Sequence, residues 1–366
     1  MTRRADIAII GAGMAGASLA AEVAPHASVL ILEAEDQPGY HATGRSAAFW
    51  AETYGGPHVQ PLTTASGPYL AEGGYLRGRG ALHIADGPEG TAAIEAMHGE
   101  FGGSVELTPL AGAELAKRIP GLRADWTEGL LEPSCADIDV AALHADYLKE
   151  ARRAGAQLLT DARLLGARSE AGRWRLETAA GEVEADLLVN AGGAWADEVA
   201  RLAGAAAVGI QPYRRTLAQL RVAPPAPADL PLVIDARGRF YFKPEAGGRI
   251  WLSPHDETPC DPCDCAAEEY DVALAIDWLE RAVDWRIERV EHSWAGLRSF
   301  APDRLPVYGF AGGRRDFFWC AGQGGFGIQT APAAAKLAAA LLLDRPAPEM
   351  VAAIDPAPYR PDRFPN

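Results

Sequence analysis

Positive charge is scarce in this chain: 34 lysines and arginines stand against 49 aspartates and glutamates, a formal net charge of -15 at pH 7. Nucleic-acid binding relies on clustered Lys and Arg to release counterions, so the balance argues against a polyanionic partner. Long apolar runs are missing too. No stretch approaches the roughly 18 to 20 residues of a membrane span, and no span is expected. The chain enters an apolar strand at Ile7, so no signal peptide and a cytoplasmic location are expected. Cysteine is sparse, five in all, with three crowded into Cys260, Cys263 and Cys265. That spacing resembles half of a metal site, but a closed zinc site takes four ligands. The cluster therefore reads as a surface loop rich in Asp and Pro, and no metal is expected. There is no internal repeat and no long low-complexity tail.

What is present points to a large α/β protein. With 366 residues, 48% hydrophobic and 23% charged, the chain can bury the core of two closely packed domains. The N-terminus alternates as a βαβ unit. An apolar strand, Ile7 to Ile10, runs into a glycine turn, an alanine-rich helix follows from about Met14 to Ala24, and a second strand covers Ser28 to Leu32. That order predicts a parallel, doubly wound sheet. The pairing of strand and glycine turn recurs twice. Leu187, Leu188 and Val189 lead into Asn190, Ala191, Gly192 and Gly193, while Phe317, Phe318 and Trp319 lead into Gly322, Gly324, Gly325 and Gly327 and a helix to about Leu343. One nucleotide-binding domain assembled from separated segments is expected. The stretch from Leu217 to Leu252, with Pro224, Pro225 and Pro227 and the run Phe240, Tyr241, Phe242, reads as antiparallel strands of an inserted second domain.

The strongest motif is Gly11, Gly13 and Gly16 between strand and helix, flanked by Ala12, Met14 and Ala15, with Glu33 and Ala34 at the end of the next strand. The first glycine makes the tight turn, the second lets backbone approach a pyrophosphate, and the third lets helix and strand pack. Glu33 can bond a ribose hydroxyl and would repel the 2′-phosphate of NADP. FAD and NAD share this half of the molecule, so the motif alone does not separate them. The loop Gly39, Tyr40, His41, Ala42, Thr43, Gly44, Arg45, Ser46, Ala47, Ala48 offers a cation and hydroxyls to a pyrophosphate or ribityl chain, and simple NAD domains lack it. The turn from Gly322 to Gly327 offers backbone N–H groups at the start of a helix whose positive end suits the negative charge a flavin gains on reduction. Pro332 fits the first turn of that helix. FAD is the cofactor these residues favour. An NAD-dependent dehydrogenase and a noncatalytic FAD-binding subunit are the readings from other classes.

Several long strings resemble one family: GYHATGRSAA at 39–48, ADIDVAALHADYL at 136–148, LVNAGGAWADEVARLAG at 188–204, QPYRR at 211–215, EHSWAGLRSF at 291–300 and GQGGFGIQT at 322–330. In these the chain resembles the D-amino acid oxidase superfamily, and within it the bacterial D-arginine dehydrogenase type of D-amino acid dehydrogenase. The resemblance implies a glutathione-reductase-like Rossmann FAD-binding domain, residues 1–73, 137–204 and 298–366, with an inserted mixed α/β substrate domain, residues 74–136 and 205–297. It implies noncovalent FAD, because the covalent cysteine of monomeric sarcosine oxidases has no convincing counterpart, Cys320 being a few residues before the glycine turn. At the cofactor it places Ala191, Gly192, Trp195, Gly296 and Arg298, and then Gly324, Gly325, Phe326, Gly327, Ile328 and Gln329. Arg298 matches the arginine that grips the substrate carboxylate, and Arg215 its partner, with Arg214 adjacent. Tyr54 and Tyr241 match pocket tyrosines, and Gly324 or Gly325 would offer a backbone carbonyl or N–H to the substrate amine or the flavin.

Two positions depart from the family. Phe49 stands where the family has a histidine, and the acidic residue of members that take cationic substrates aligns with Ala81 in the segment Arg79 to His83, with Glu52 or Glu72 as substitutes. Neutral or apolar D-amino acids are therefore the expected substrates, oxidised to the imino acid and then the 2-oxo acid by hydride transfer to flavin N5. The electron acceptor, oxygen, quinone or another, stays open. The alternative within flavoenzymes is an N-methyl or secondary amino acid, such as sarcosine, glycine or proline.

Overall fold

The alternation at the N-terminus folds as a parallel βαβ unit in the computed structural model, which describes residues 3–364. Strand Arg3–Ile10 leads into helix Met14–Val23 and strand Val29–Leu32, with Ile7 paired to Val29 and Ile10 to Leu32. On its other side the first strand pairs in parallel with Gly181–Asn190, Ile10 meeting Asn190. Phe317–Ala321 pairs in parallel with that strand in turn, Leu188 meeting Phe317. Gln157–Leu159 extends the sheet beyond Val29–Leu32. Both faces of these strands are covered, which is why their cores read as unbroken apolar runs rather than alternating ones. One face packs on helices Met14–Val23, Val140–Arg153 and Ala331–Leu343, through Leu19, Leu143 and Leu337. The other buries Leu188, Trp174 and Trp319 with Val199.

Because the three glycine-turn strands are parallel neighbours, all three turns leave the sheet at its carboxyl end. Ligands of open α/β sheets bind in the crevice there. Close approach is what the glycines make possible: Gly11 adopts a left-handed φ of 99°, and a Cβ on Gly16 would lie 1.9 Å from the Gly11 carbonyl oxygen.

A second, ten-stranded sheet is mixed, mostly antiparallel, with Ala81–Asp86 parallel to Leu232–Asp235. Its longest pairing joins Gln211–Ala223 to Arg286–Phe300. Period-two alternation divides its faces. Ala218, Leu220, Phe240, Phe242 and Leu252 pack against helix Glu269–Ala282 through Ala275 and Leu279. Arg215, Leu217 and Tyr241 stand on the opposite face, toward the glycine turns. The Pro-rich turn at Pro224 separates two of these strands. The strand carrying Arg298 runs on to Phe300 and pairs with Gln323–Gly324, so the expected domain boundary at 298 falls inside a strand. A continuous hydrogen-bonded ladder is a poor place for a division between domains.

Cys260, Cys263 and Cys265 lie in a loop, Cys263 exposed and the other two half-buried, and all five thiols are free. Among the described residues no helix is long and apolar enough to cross a membrane.

Gly16→Ala is expected to lower the stability of the protein by at least about 2 kcal/mol, through overpacking against backbone that cannot yield. A urea melt monitored by circular dichroism reads the shift in midpoint.

Candidate active site

A single cavity begins at Glu33, passes the Gly11 and Gly13 turn and Thr43, and ends against Gly296, Arg298 and Tyr241. Its first part is built by backbone. The Glu33 carboxylate accepts hydrogen bonds from the N–H groups of Ala12 (2.8 Å) and Glu35 (3.1 Å), which fixes the turn to the second strand. Thr43 accepts from the Met14 N–H at 2.9 Å, and His144 bonds the Ala12 carbonyl at 2.8 Å. His144 is held neutral by burial, which lowers its pKa. The start of helix Met14–Val23 opens here, a favourable end for a pyrophosphate. The cavity is also lined by Ala15 and Ala34, by Ala191, Gly192 and Trp195 of the second turn, and by Ser46 and Ala47. Gly324, Gly325, Gly327 and Ile328 of the third turn close its far side.

Other expected cofactor residues stand elsewhere. Ala12, Gly16, Gly44, Ala48, Phe326 and Gln329 do not line the cavity. Gln329 is buried and holds the neighbouring loop instead: its amide donates to the Tyr54 carbonyl (2.9 Å) and Thr63 Oγ1 (3.0 Å), and it accepts from the Ala51 N–H. Arg45 lines the cavity, but its guanidinium donates to the carbonyls of Cys265 (2.9 Å) and Ala295 (3.3 Å) and pairs with Asp264. Arg45 thereby ties the Gly39–Ala48 loop to the second sheet, and its charge is spent on Asp264 rather than left for a pyrophosphate. Glu35, His41 and Glu198 also line the cavity; His41 stands in the Gly39–Ala48 loop and Glu198 on helix Ala196–Leu202 within the 188–204 string, whereas Glu35 lies outside every motif.

The far end is cationic. Arg215 and Arg298 lie on paired antiparallel strands, where Arg215 faces Gly296 and Arg298 faces Tyr213. Residues two apart on a strand share a face, so the two arginines are diagonal neighbours, and Gly296 lines the cavity with Arg45 Cβ packed close by. Arg215 is 3% exposed; its Nε donates to the Asp256 carbonyl at 2.8 Å, its Nη2 reaches Glu257 at 3.4 Å, and its Nη1 has no partner. Glu257 is shared with Arg304, at 2.8 Å. Burial and the Arg298 charge both lower the Arg215 pKa. Among the described residues Arg298 forms no ion pair; burial opposes its charge, and Tyr54, Tyr241 and Glu257 more than offset this. Arg214, adjacent in sequence, points the other way and is tied up by Glu268 and by Asp271 at 2.9 Å.

Aromatic side chains wall this end. Tyr54 lies 5.1 Å from both Phe49 and Phe326 between ring centroids, and the Phe49 and Tyr241 rings are 6.4 Å apart. A Cβ on Gly325 would sit 2.9 Å from the Tyr54 hydroxyl and 3.1 Å from Arg298 Cζ, so only glycine leaves that corner open. Behind the wall lies a second cavity, lined by Phe49, Tyr54, Tyr241, His83 and His255. Neither Ala81, Glu52 nor Glu72, the positions weighed for an acid, lines either cavity. His83, two residues on from Ala81, does.

The first cavity fits a flavin dinucleotide: a glycine cradle at one end, strand backbone at Gly296, and a cationic corner beyond. The comparisons agree. The family model described as FAD dependent oxidoreductase, DAO, matches residues 6–341. The chain is 26% identical to a glycine oxidase of Geobacillus kaustophilus over 364 residues, 93% of this chain and 94% of that protein. It is 32% identical to a glycine oxidase of Pseudomonas aeruginosa over 191 residues, 50% of this chain and 48% of that one. A dimethylglycine dehydrogenase of Rattus norvegicus is 24% identical over 97% of this chain but only 45% of its own length. The crystal structure of the Geobacillus kaustophilus glycine oxidase superposes with a TM-score of 0.86 over 100% of both chains at 24% identity. An L-proline dehydrogenase from P. horikoshii superposes with a TM-score of 0.84 over 99% of this chain at 21% identity. At those identities the structures speak for the fold. These relatives support the family and not the finer likeness to D-arginine dehydrogenases. The chain belongs to the DAO family of FAD-dependent oxidoreductases, and its cofactor is FAD.

Proposed function

We propose that the protein oxidises the carbon–nitrogen bond of a glycine-type amino acid: glycine itself, or a relative bearing a substituent on nitrogen or on the α carbon. The observation that carries this reading is Arg298, a half-buried arginine that forms no ion pair among the described residues, beside the buried Arg215. Two cations at diagonal strand positions repel each other, and an anion between them relieves that cost. A carboxylate suits the planar fork of donors, because two parallel N–H···O bonds fix its orientation as well as its place. Similarity to two glycine oxidases favours a small amino acid over a D-amino acid chosen for its side chain.

In this reading Arg298 and Arg215 hold the carboxylate, and the aromatic wall of Tyr54, Phe49 and Tyr241 excludes water and turns the α carbon toward the strand backbone at Gly296. FAD, when bound, supplies the two-electron acceptor for a hydride from that carbon. The substrate ammonium loses its proton to water before or during the step, with the Tyr54 and Tyr241 hydroxyls as the nearest polar groups. The product imine hydrolyses in water to a 2-oxo acid and an amine or ammonia. Gly324 is assigned to the substrate amine through its backbone, and the cavity-lining residues described above to FAD. We assign noncovalent attachment, because Cys320 is buried outside the cavity lining and its thiol is pushed up to about 12 by burial. Two structural units, one around each of the two large sheets, complete the proposal, with the whole strand Arg286–Phe300 and its partner Gln323–Gly324 in the second.

Arg298→Met is expected to lower kcat/KM for glycine or sarcosine by roughly 100- to 1000-fold, the loss of a desolvated, charge-assisted pair, while flavin absorbance per protein is retained. Steady-state kinetics and a visible spectrum read both. Acid precipitation is expected to leave the yellow colour in the supernatant and none in the pellet. Burial holds His83 at about 4, and burial with the Arg215 and Arg298 charges holds His255 well below its ordinary value. Both stay neutral through the range of an ordinary imidazole, about 6.5. The pH profile of kcat/KM is therefore expected to rise with loss of the substrate ammonium proton and to show no inflection near 6.5.

A further inference from the structure

The second cavity, about 140 Å³ in volume, shares Tyr241 as a wall with the Arg298 end of the first. Counted against roughly 10 to 15 Å³ for the smallest hole that holds a water, it admits a substituent of several heavy atoms. Phe49, Tyr54, Tyr241, Met97 and Ile234 make most of its surface apolar. Two imidazoles interrupt that surface. His83, 5% exposed, stands on a strand paired on both sides, to Ile234 and to Leu130, so its backbone is fixed. Neither of its ring nitrogens has a partner in the protein, and Nδ1 of His255 has none either. A half-turn about χ2 exchanges ring nitrogens for carbons without changing the outline of the ring, so either imidazole can present a nitrogen to the cavity with no repacking. His255 is held in left-handed backbone, φ 56°, with its N–H bonded to Ser253 Oγ at 3.1 Å. Such a conformation costs free energy in a residue other than glycine and clusters at functional sites.

Leaving buried nitrogens unpaired is costly, and polar groups buried in native proteins almost always find a partner. The charges around the cavity select what that partner is. Asp235, which lines it, is neutralised by Arg239 at 2.6 Å. Arg215 and Arg298 lie close enough to His255 to depress its protonation, so a cationic group entering here meets their repulsion. Two neutral imidazoles, each one donor and one acceptor, match an uncharged group that does both.

We infer that this cavity receives the substituent of the substrate and that His83 and His255 select one carrying an uncharged hydrogen-bonding group, such as a hydroxyl or carboxamide. The inference rests on the proposed amino acid oxidation and narrows its substrate class. The test compares matched pairs that differ only in that group: N-(2-hydroxyethyl)glycine against N-propylglycine, and homoserine against norvaline in each enantiomer, with glycine and sarcosine alongside. In at least one pair the polar member is expected to show a kcat/KM at least tenfold above its apolar isostere, the discrimination of a site built to bond what it receives. In His83→Leu or His255→Gly that ratio is expected to fall toward one, and His83→Gln is expected to keep part of it. The ratio, not the rate, is the readout, so loss of overall activity through misfolding does not imitate the result. Ratios near one in every pair for the wild-type protein mean that water alone satisfies the imidazoles, and overturn the inference. So does a high wild-type ratio that survives in both apolar variants, or turnover of glycine and sarcosine with no turnover of any substituted member. If none of the compounds, glycine and sarcosine included, is oxidised, it is the proposed function that fails.

Discussion

Two guanidinium groups placed side by side, Arg215 paired with Asp256 and Glu257 and Arg298 without an ion pair among the described residues, are the feature on which the rest of the site depends. Arg215 and Arg298 are diagonal neighbours on paired strands, opposite Gly296 and Tyr213 respectively. Taking a charge out of water costs several kcal/mol even after relaxation, and two like charges add their repulsion. Asp256, through its carbonyl and through its carboxylate at 3.9 Å, and a share of Glu257 offset this at Arg215. Arg298 forms no ion pair among the described residues, and Tyr54, Tyr241 and the Glu257 charge favour its charged form. In the proposed reading a substrate carboxylate completes the pairing at this end.

Gly296 lines the first cavity beside Arg215, Gly325 leaves the corner between Tyr54 and Arg298 open, and Tyr241 borders both cavities. Hydrogen bonds from neighbouring residues support this geometry. Gln329 holds the backbone of the Tyr54 loop at two points, the Ala51 N–H and the Tyr54 carbonyl, and donates to Thr63 Oγ1 on the helix that follows. Glu132, fully buried and with its pKa raised by burial, accepts from the Glu52 N–H at 2.7 Å and from Thr53 Oγ1 at 2.6 Å on the same loop. Arg45 reaches from the flavin-side loop to the backbone of Cys265 and Ala295, joining the two sheets across the cavity.

The dinucleotide end was legible in the sequence because its causes are local. Gly11, Gly13, Gly16 and Glu33 act within one βαβ unit, and the unbroken apolar strands before the other two glycine turns announce a parallel sheet covered on both faces. Arg298 and Arg215 were legible only through resemblance, since strand pairing 80 residues apart leaves no local trace. Arg45 and Gln329 show the limit of reading side-chain chemistry without geometry: each has the right groups for a cofactor, and each is occupied by backbone of a distant segment. His83 belongs to no motif: the alternation of its strand sends Leu82 and Ile84 into one core and His83 toward the other face, where the second cavity lies, and no local pattern marks that cavity.

The account's central claim is that the cationic corner is built for a carboxylate. Its most direct test is calorimetric titration of the FAD-loaded protein with propionate and with its neutral isostere propionamide, ligands that bring the anionic group but no oxidisable amine. One-to-one binding of the acid, at least 100-fold tighter than the amide and abolished in Arg298→Met, is the result the account requires. Equal affinity for acid and amide, or acid binding that survives the loss of Arg298, would contradict it.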